Sequence, residues 1–217
     1  MNVKVEYVLS CPKSLVFCLR LFPLRIALKI PVLVHYRTHI KIGEGKIILP
    51  EQVKFGMVRL GFGGTPSVCE NRYNVLSLEK GRIVFLGSAH CGGGYSIRNS
   101  GSLVFGNNFS ANKNFKVTCA EEIKFGKDVL FGWNCAVRDS DGHTIIKNGE
   151  EQPIRKTVNI GNHVWICAES HILKGSNICD DCVVGYRSVV LGQFSETNIT
   201  VAGSPARIVQ RDINWKY

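Results

Sequence analysis

Acidic residues are scarce in this chain: 17 Asp and Glu stand against 27 Lys and Arg, for a net charge of +10. That imbalance points to anionic partners such as nucleic acid, a membrane surface or phosphorylated ligands. Helix-turn-helix, ribonucleoprotein and zinc-finger spacings are lacking, which ranks nucleic acid last of the three. Also lacking is an uninterrupted apolar run. The most apolar stretch, residues 14–34, contains Arg20, Arg25 and Lys29 and is broken by Pro23 and Pro31. Neither a spanning helix, which needs about 20 apolar residues, nor a secretory signal fits it. The nine cysteines are odd in number and scattered, so they read as small buried thiols in a reducing cytosol and not as a disulfide framework. Cys179 and Cys182 form a CxxC with no second pair and no βαβ context, and are taken as structural. The runs at 61–64 and 91–94 are rich in Gly but lack the Lys-Ser/Thr of a phosphate loop, so they are turns.

Glycine, by contrast, is plentiful, with 22 of 217 residues, and the chain must turn often. Residues 1–39 form an amphipathic amino-terminal segment, with helices expected over 14–22 and 24–30 and Pro23 placed to start the second. Two uses for it stay open. It can cap the end of a β-core, or lay a basic, apolar surface on an anionic leaflet.

The main signal is a period of six. Ile160, Ile166, Ile172, Ile178, Val184 and Val190 recur at that spacing. Four residues after each come Val164, Ser170, Ser176, Cys182, Ser188 and Phe194, mostly small. Upstream the period continues through Phe125, Phe131 and Val137. Such a repeat suits neither an amphipathic helix nor a long hairpin; it suits a solenoid of short strands and tight corners. Between about 103 and 123 the frames beginning at Phe105 and at Phe125 differ by two residues, and irregular coils are expected before residue 80.

These hexads resemble the hexapeptide-repeat acyltransferases, and the tail Val201-Ala202-Gly203-Ser204-Pro205-Ala206-Arg207 is similar to that family's closing signature. Within it, the chain looks most like polysaccharide-modifying O-acetyltransferases of the colanic acid and maltose or galactoside type. The resemblance implies an all-β fold, a left-handed parallel β-helix over 40–200, with a protruding loop at 139–157 and a tail at 201–217. It also implies acetyl-CoA as cosubstrate, no metal, a saccharide acceptor that is small or lipid-linked, and a homotrimer. A cytoplasmic location follows, with residues 14–34 at the inner membrane face as a further expectation.

The next clean hexad after Val137 opens at Ile160 and not at 143, so a polar excursion of 17 extra residues interrupts the repeat. Excursions of this kind tend to carry function. It begins Asp139-Ser140-Asp141-Gly142-His143, which resembles the family's Asp-rich segment ending in His. A sugar hydroxyl needs a base to become a nucleophile at neutral pH, and imidazole supplies one. His143 is the expected base, with Asp141 or Asp139 to orient the ring. The resemblance further implies Asn114 as a donor to the oxyanion, although Thr118-Cys119-Ala120 lacks the acid that the family tends to have nearby.

The same resemblance implies a pantetheine path along Trp165, Cys167, Ala168, Gly185, Ser188, Gly203 and Pro205, with Lys174, Arg187 and Arg207 for the CoA phosphates. Cys167 stands where the family usually has Gly. Two rivals remain. One is a non-catalytic β-helical scaffold; the other is a zinc-binding β-helical carbonic anhydrase, for which His163 and His171 lack ligand spacing.

Overall fold

The computed structural model describes residues 3–69 and 73–216. It is mostly β, with parallel strands arranged in three sheets among the described residues. The first sheet runs Val32–Val34, Val58–Leu60, Ala89–Cys91, Phe109–Ala111, Leu130–Phe131, Trp165–Ile166 and Val183–Val184, then the antiparallel pair Thr200–Gly203 and Ala206–Gln210. The second holds Thr38–Ile42, Asn74–Leu78, Ser96–Asn99, Lys116–Cys119, Ala136–Arg138, His171–Ile172 and Val189–Val190. The third runs from Lys46–Ile48 to Gln193–Phe194. Successive strands pass from one sheet to the next, so the chain returns to a sheet every third strand.

The step of that return explains the slipped frame. Ser96 pairs with Lys116, a step of 20 residues, whereas Trp165 pairs with Val183, a step of 18. In the longer turns the third-sheet strands point two residues inward, Leu103 with Phe105 and Ile123 with Phe125. A wider turn needs bulkier filling to reach interior density. Accordingly Phe105, Phe109, Phe115, Phe125 and Phe131 are fully buried and pack ring against ring, with centroids 4.8 Å apart for Phe105 and Phe109. The narrower turns close on Ile160, Ile166, Ile172, Ile178, Val184 and Val190, all buried.

The amino-terminal helix, α1, spans Val3–Leu21, and α2 is the short Leu24–Ala27 with Pro23 at its N-cap. The expected first helix, 14–22, thus begins eleven residues earlier. Pro12 lies inside it and removes one helical hydrogen bond, but on the exposed side, where water can serve the freed carbonyl. Strands also begin at Val32, inside the segment assigned to the amino-terminal element. α1 covers the open edge that this first strand would present. The Val34 N–H donates to Ser14 Oγ at 2.9 Å and the Tyr36 N–H to Ser10 Oγ at 3.0 Å, so edge groups that could recruit another strand are satisfied.

Candidate active site

The excursion is a second, smaller fold. Phe125 pairs with Ile160, 35 residues on, and the additional chain forms an antiparallel hairpin of Ile145–Lys147 with Glu150–Gln152. Its turn is Asn148-Gly149, both at positive φ (53° and 81°), the arrangement of a two-residue hairpin loop. That dipeptide was the available sequence signal for a hairpin where only a polar loop was expected. His143 lies between the hairpin base and its first strand, exposed to solvent and with no hydrogen bond among the described residues.

The base of the hairpin is braced. The Asp141 N–H donates to the Ile154 carbonyl at 3.0 Å, and Ser140 bridges Arg155. Lys174, from the turn after His171–Ile172, forms an ion pair with Asp141 and donates to the Pro153 carbonyl at 2.6 Å. Lys174 therefore stands with the hairpin and not with the expected phosphate contacts. Beside it a groove of about 680 Å³ is lined by Asp141, Ile145, Gln152, Lys156, Leu173 and Gln193, among others.

Asp139 has a different task from the one expected. It is fully buried, and its carboxylate accepts from the Ala120 N–H at 2.8 and 3.1 Å and from the Glu121 N–H at 2.8 Å. Charge-assisted bonds of this type tie the hairpin's first residue to the turn beneath. It makes no hydrogen bond to His143. The neighbourhood Thr118-Cys119-Ala120, which has no acid of its own, receives this one, and burial together with the Asp139 charge pushes the Cys119 thiol up.

Residues of the expected pantetheine path lie on adjacent turns. Cys167 N–H donates to the Val184 carbonyl and Gly185 N–H to the Val201 carbonyl, both at 2.8 Å, which stacks Cys167, Gly185 and Ala202. Adding a Cβ at Gly185 would bring it within 2.8 Å of the Ala202 Cβ, so glycine keeps the layers close. Ala168 is buried. Ser188 is buried too, and its Oγ accepts from Gly203 N–H at 3.1 Å. Pro205 follows Ser204 in the turn that carries the chain into the last strand. Trp165 is 37% exposed and leans on Trp215, whose indole N–H donates to the His163 carbonyl and whose ring stacks on the His163 imidazole at 4.3 Å. The Trp215 contact had no sequence signal. Arg187 pairs with Glu169 at 3.1 Å, while Arg207 borders a separate groove of about 450 Å³ with Gln193 and Phe194.

Asn114 belongs to the same corner as this strip. Hydrogen bonds link the turns one above another: Asn134 N–H to Lys113 O, Glu169 N–H to Trp133 O and Arg187 N–H to Ala168 O. Its side-chain amide donates to the Cys69 carbonyl and to Asn134 Oδ1, each at 2.9 Å. The hairpin of His143 departs from the next corner, after Ala136–Arg138. Within one chain, the second sheet thus lies between Asn114 and the hairpin.

No family model matches the chain. A Mycobacterium tuberculosis protein that bears the name "probable acetyltransferase" is 30% identical over 180 residues, covering 79% of this chain and 56% of that one. The polysialic acid O-acetyltransferase of Neisseria meningitidis is 42% identical over 106 residues, 47% of this chain and 49% of its own. The chain is a relative of acetyltransferases. It spans about half the length of these curated relatives. The crystal structure of the polySia-specific acetyltransferase NeuO matches with a TM-score of 0.64 over 83% of this chain and 72% of that one, at 20% identity, a likeness of fold.

Among the described residues, no three His, Cys, Asp or Glu side chains gather as they would to hold a metal ion. His163 is instead committed to Asp181, at 2.8 Å. Among the described residues, no helix is long and apolar enough to cross a membrane.

Proposed function

We propose that this protein transfers an acetyl group from acetyl-CoA to a hydroxyl of a saccharide, with His143 as general base. The observation that carries this reading is the braced hairpin, which presents an unpaired imidazole one corner away from a layered strip of small residues. The acetyltransferase relatives, with their polysaccharide acceptor in one case, support the reaction class.

The chemistry follows from the side chains. Bound acetyl-CoA supplies an activated thioester carbonyl. His143 accepts the acceptor's hydroxyl proton as the oxygen attacks, and returns a proton to the departing thiolate, so the products are an ester and a free thiol. Asn114 is assigned to the oxyanion, for which its amide must release one of its two present acceptors, the Cys69 carbonyl or Asn134 Oδ1, and Asp141 orients the segment that bears the imidazole. The small side chains Ala168, Gly185 and Gly203 suit a pantetheine arm meeting backbone amides. Arg187 and Arg207 are assigned to the phosphates. Lys174 is reassigned to bracing Asp141.

The separation of Asn114 from the hairpin favours a site completed by a second copy of the chain, in a homotrimer of left-handed β-helices spanning 40–200. The stacked three-strand turns and the NeuO likeness support that architecture. The amino-terminal segment, 1–39, keeps a second use besides covering the sheet edge. Val5, Val8, Leu9, Val16 and Leu19 are exposed along α1, and Leu24 and Leu28 beyond it. Arg20, Arg25 and Lys29 flank them, a combination suited to an anionic inner leaflet. The tail keeps the assigned bounds 201–217, and at its start the strands Thr200–Gly203 and Ala206–Gln210 pair at the end of the coil.

Incubating the protein with acetyl-CoA and surface-glycan fragments, then weighing the glycans by mass spectrometry, tests the reaction. Acetylated glycan is expected; failure of the protein to bind CoA at all in a calorimeter would sink the proposal.

A further inference from the structure

We infer that the outward face of the second sheet binds an anionic polysaccharide chain and leads it to the hairpin. This rests on the acetyltransferase reading and names the class of its acceptor.

The face carries its charge in columns. Strand pairing places Lys41 beside Ser77, Ser77 beside Arg98, Arg98 beside Thr118, and Thr118 beside Arg138. Neighbouring strands lie about 4.8 Å apart, so cations recur at alternate rungs between Arg98 and Arg138, about 10 Å apart. In the adjoining column Lys116 stands beside Ser96 and Ala136, and His171 follows. Lys41, Arg98, Lys116, Arg138 and His171 are all exposed. The seven strands contain no Asp or Glu. Arg98, Lys116 and Arg138 have no acidic partner among the described residues, and only Lys41 meets one, Glu79 at 3.6 Å.

Separate cations in a row over a flat sheet match a charge repeated along an extended chain better than one compact anion. The same strands contain no Phe, Tyr or Trp, and a single aromatic pair, His39 with Tyr73 at 4.6 Å, stands at one end, so the face lacks the row of platforms on which single-stranded nucleic acid stacks. A second copy meeting this face with its own would set like charges together, which disfavours a two-fold contact there. Position gives the surface its purpose. Arg138 immediately precedes Asp139, where the hairpin begins, and Asn114 lies two residues before Lys116 at the opposite edge. A glycan held on the columns therefore reaches the base of the hairpin that bears His143.

The test uses the full chain with polygalacturonate as an acidic glycan, neutral dextran as its uncharged counterpart, and single-stranded DNA. Calorimetry should show binding of polygalacturonate that weakens as salt rises, with dextran and DNA bound far less. Arg98→Gln with Arg138→Gln should weaken polygalacturonate binding roughly tenfold and leave CoA binding unchanged, while Lys124→Gln on the third sheet changes neither. Equal binding of dextran, DNA binding as tight as that of polygalacturonate, or an equal loss from Lys124→Gln would overturn the inference. Binding of polygalacturonate without CoA would uphold the face and reject the acetyltransferase reading; binding of CoA without polygalacturonate would do the reverse.

Discussion

Lys174 and Asp141 form an ion pair at the base of the hairpin that carries His143. Their side chains are largely shielded, 18% and 27% exposed, so the pair is less screened than a surface one. Lys174→Met should leave the KM for acetyl-CoA unchanged and lower kcat about tenfold, because the change acts through the hairpin. Hydrogen exchange over residues 141–155 should quicken. A raised donor KM with unchanged kcat would return Lys174 to the phosphates.

His143→Ala should lower kcat by roughly 10²–10⁴-fold with little change in CoA affinity. The exposed position makes a folding defect an unsuitable explanation, and a thermal melt alongside the kinetics checks that point. Unchanged turnover would remove His143 from the chemistry.

Asp139→Asn should act on stability. Its side chain would set an amide N–H₂ against backbone N–H groups in a fully buried place. A loss of about 1–3 kcal/mol is expected from the unmet donors, read as a lower Tm and a lower denaturant midpoint. A variant as stable as the wild type would show that the carboxylate is dispensable as a tie.

Acid should loosen the amino-terminal cap. His35 is buried, its Nδ1 accepts from the Arg37 N–H at 3.2 Å, and its ring meets Phe62, on which Tyr7 of α1 stacks. Burial, with the charges of Arg37 and Lys13, lowers its pKa to about 4. Burial also lowers the pKa of His90, which hydrogen-bonds the Phe62 carbonyl at 2.6 Å. In both, the folded state prefers the neutral ring, so the unfolded chain binds more protons below its own histidine pKa of about 6.5. Their contribution is complete above that pH and is lost as pH falls toward 4, by on the order of 2–3 kcal/mol for His35. Melts between pH 7 and 4 should show this slope, and His35→Gln should flatten it.

The repeat of six was legible without coordinates because burial in a short strand selects one residue type at one position. Ile160 through Val190 all point inward as their spacing implies. The interruption before Ile160 was legible for the same reason, and with it the place of His143. The two-residue slip between Phe105 and Phe125 was legible as a mismatch of frames, but its cause was not: turns of 20 residues precede turns of 18. Only the tertiary structure decided which side chains share a corner. Asp139, two residues before Asp141 in sequence, turns inward to the backbone of Ala120, whereas Lys174, more than thirty residues away, folds back to hold Asp141. Likewise the charges of Lys41, Arg98 and Arg138 are far apart along the chain and form a column only because parallel strands align them. Local spacing determines what a strand buries; the number of residues in each turn determines which strands, and so which side chains, meet.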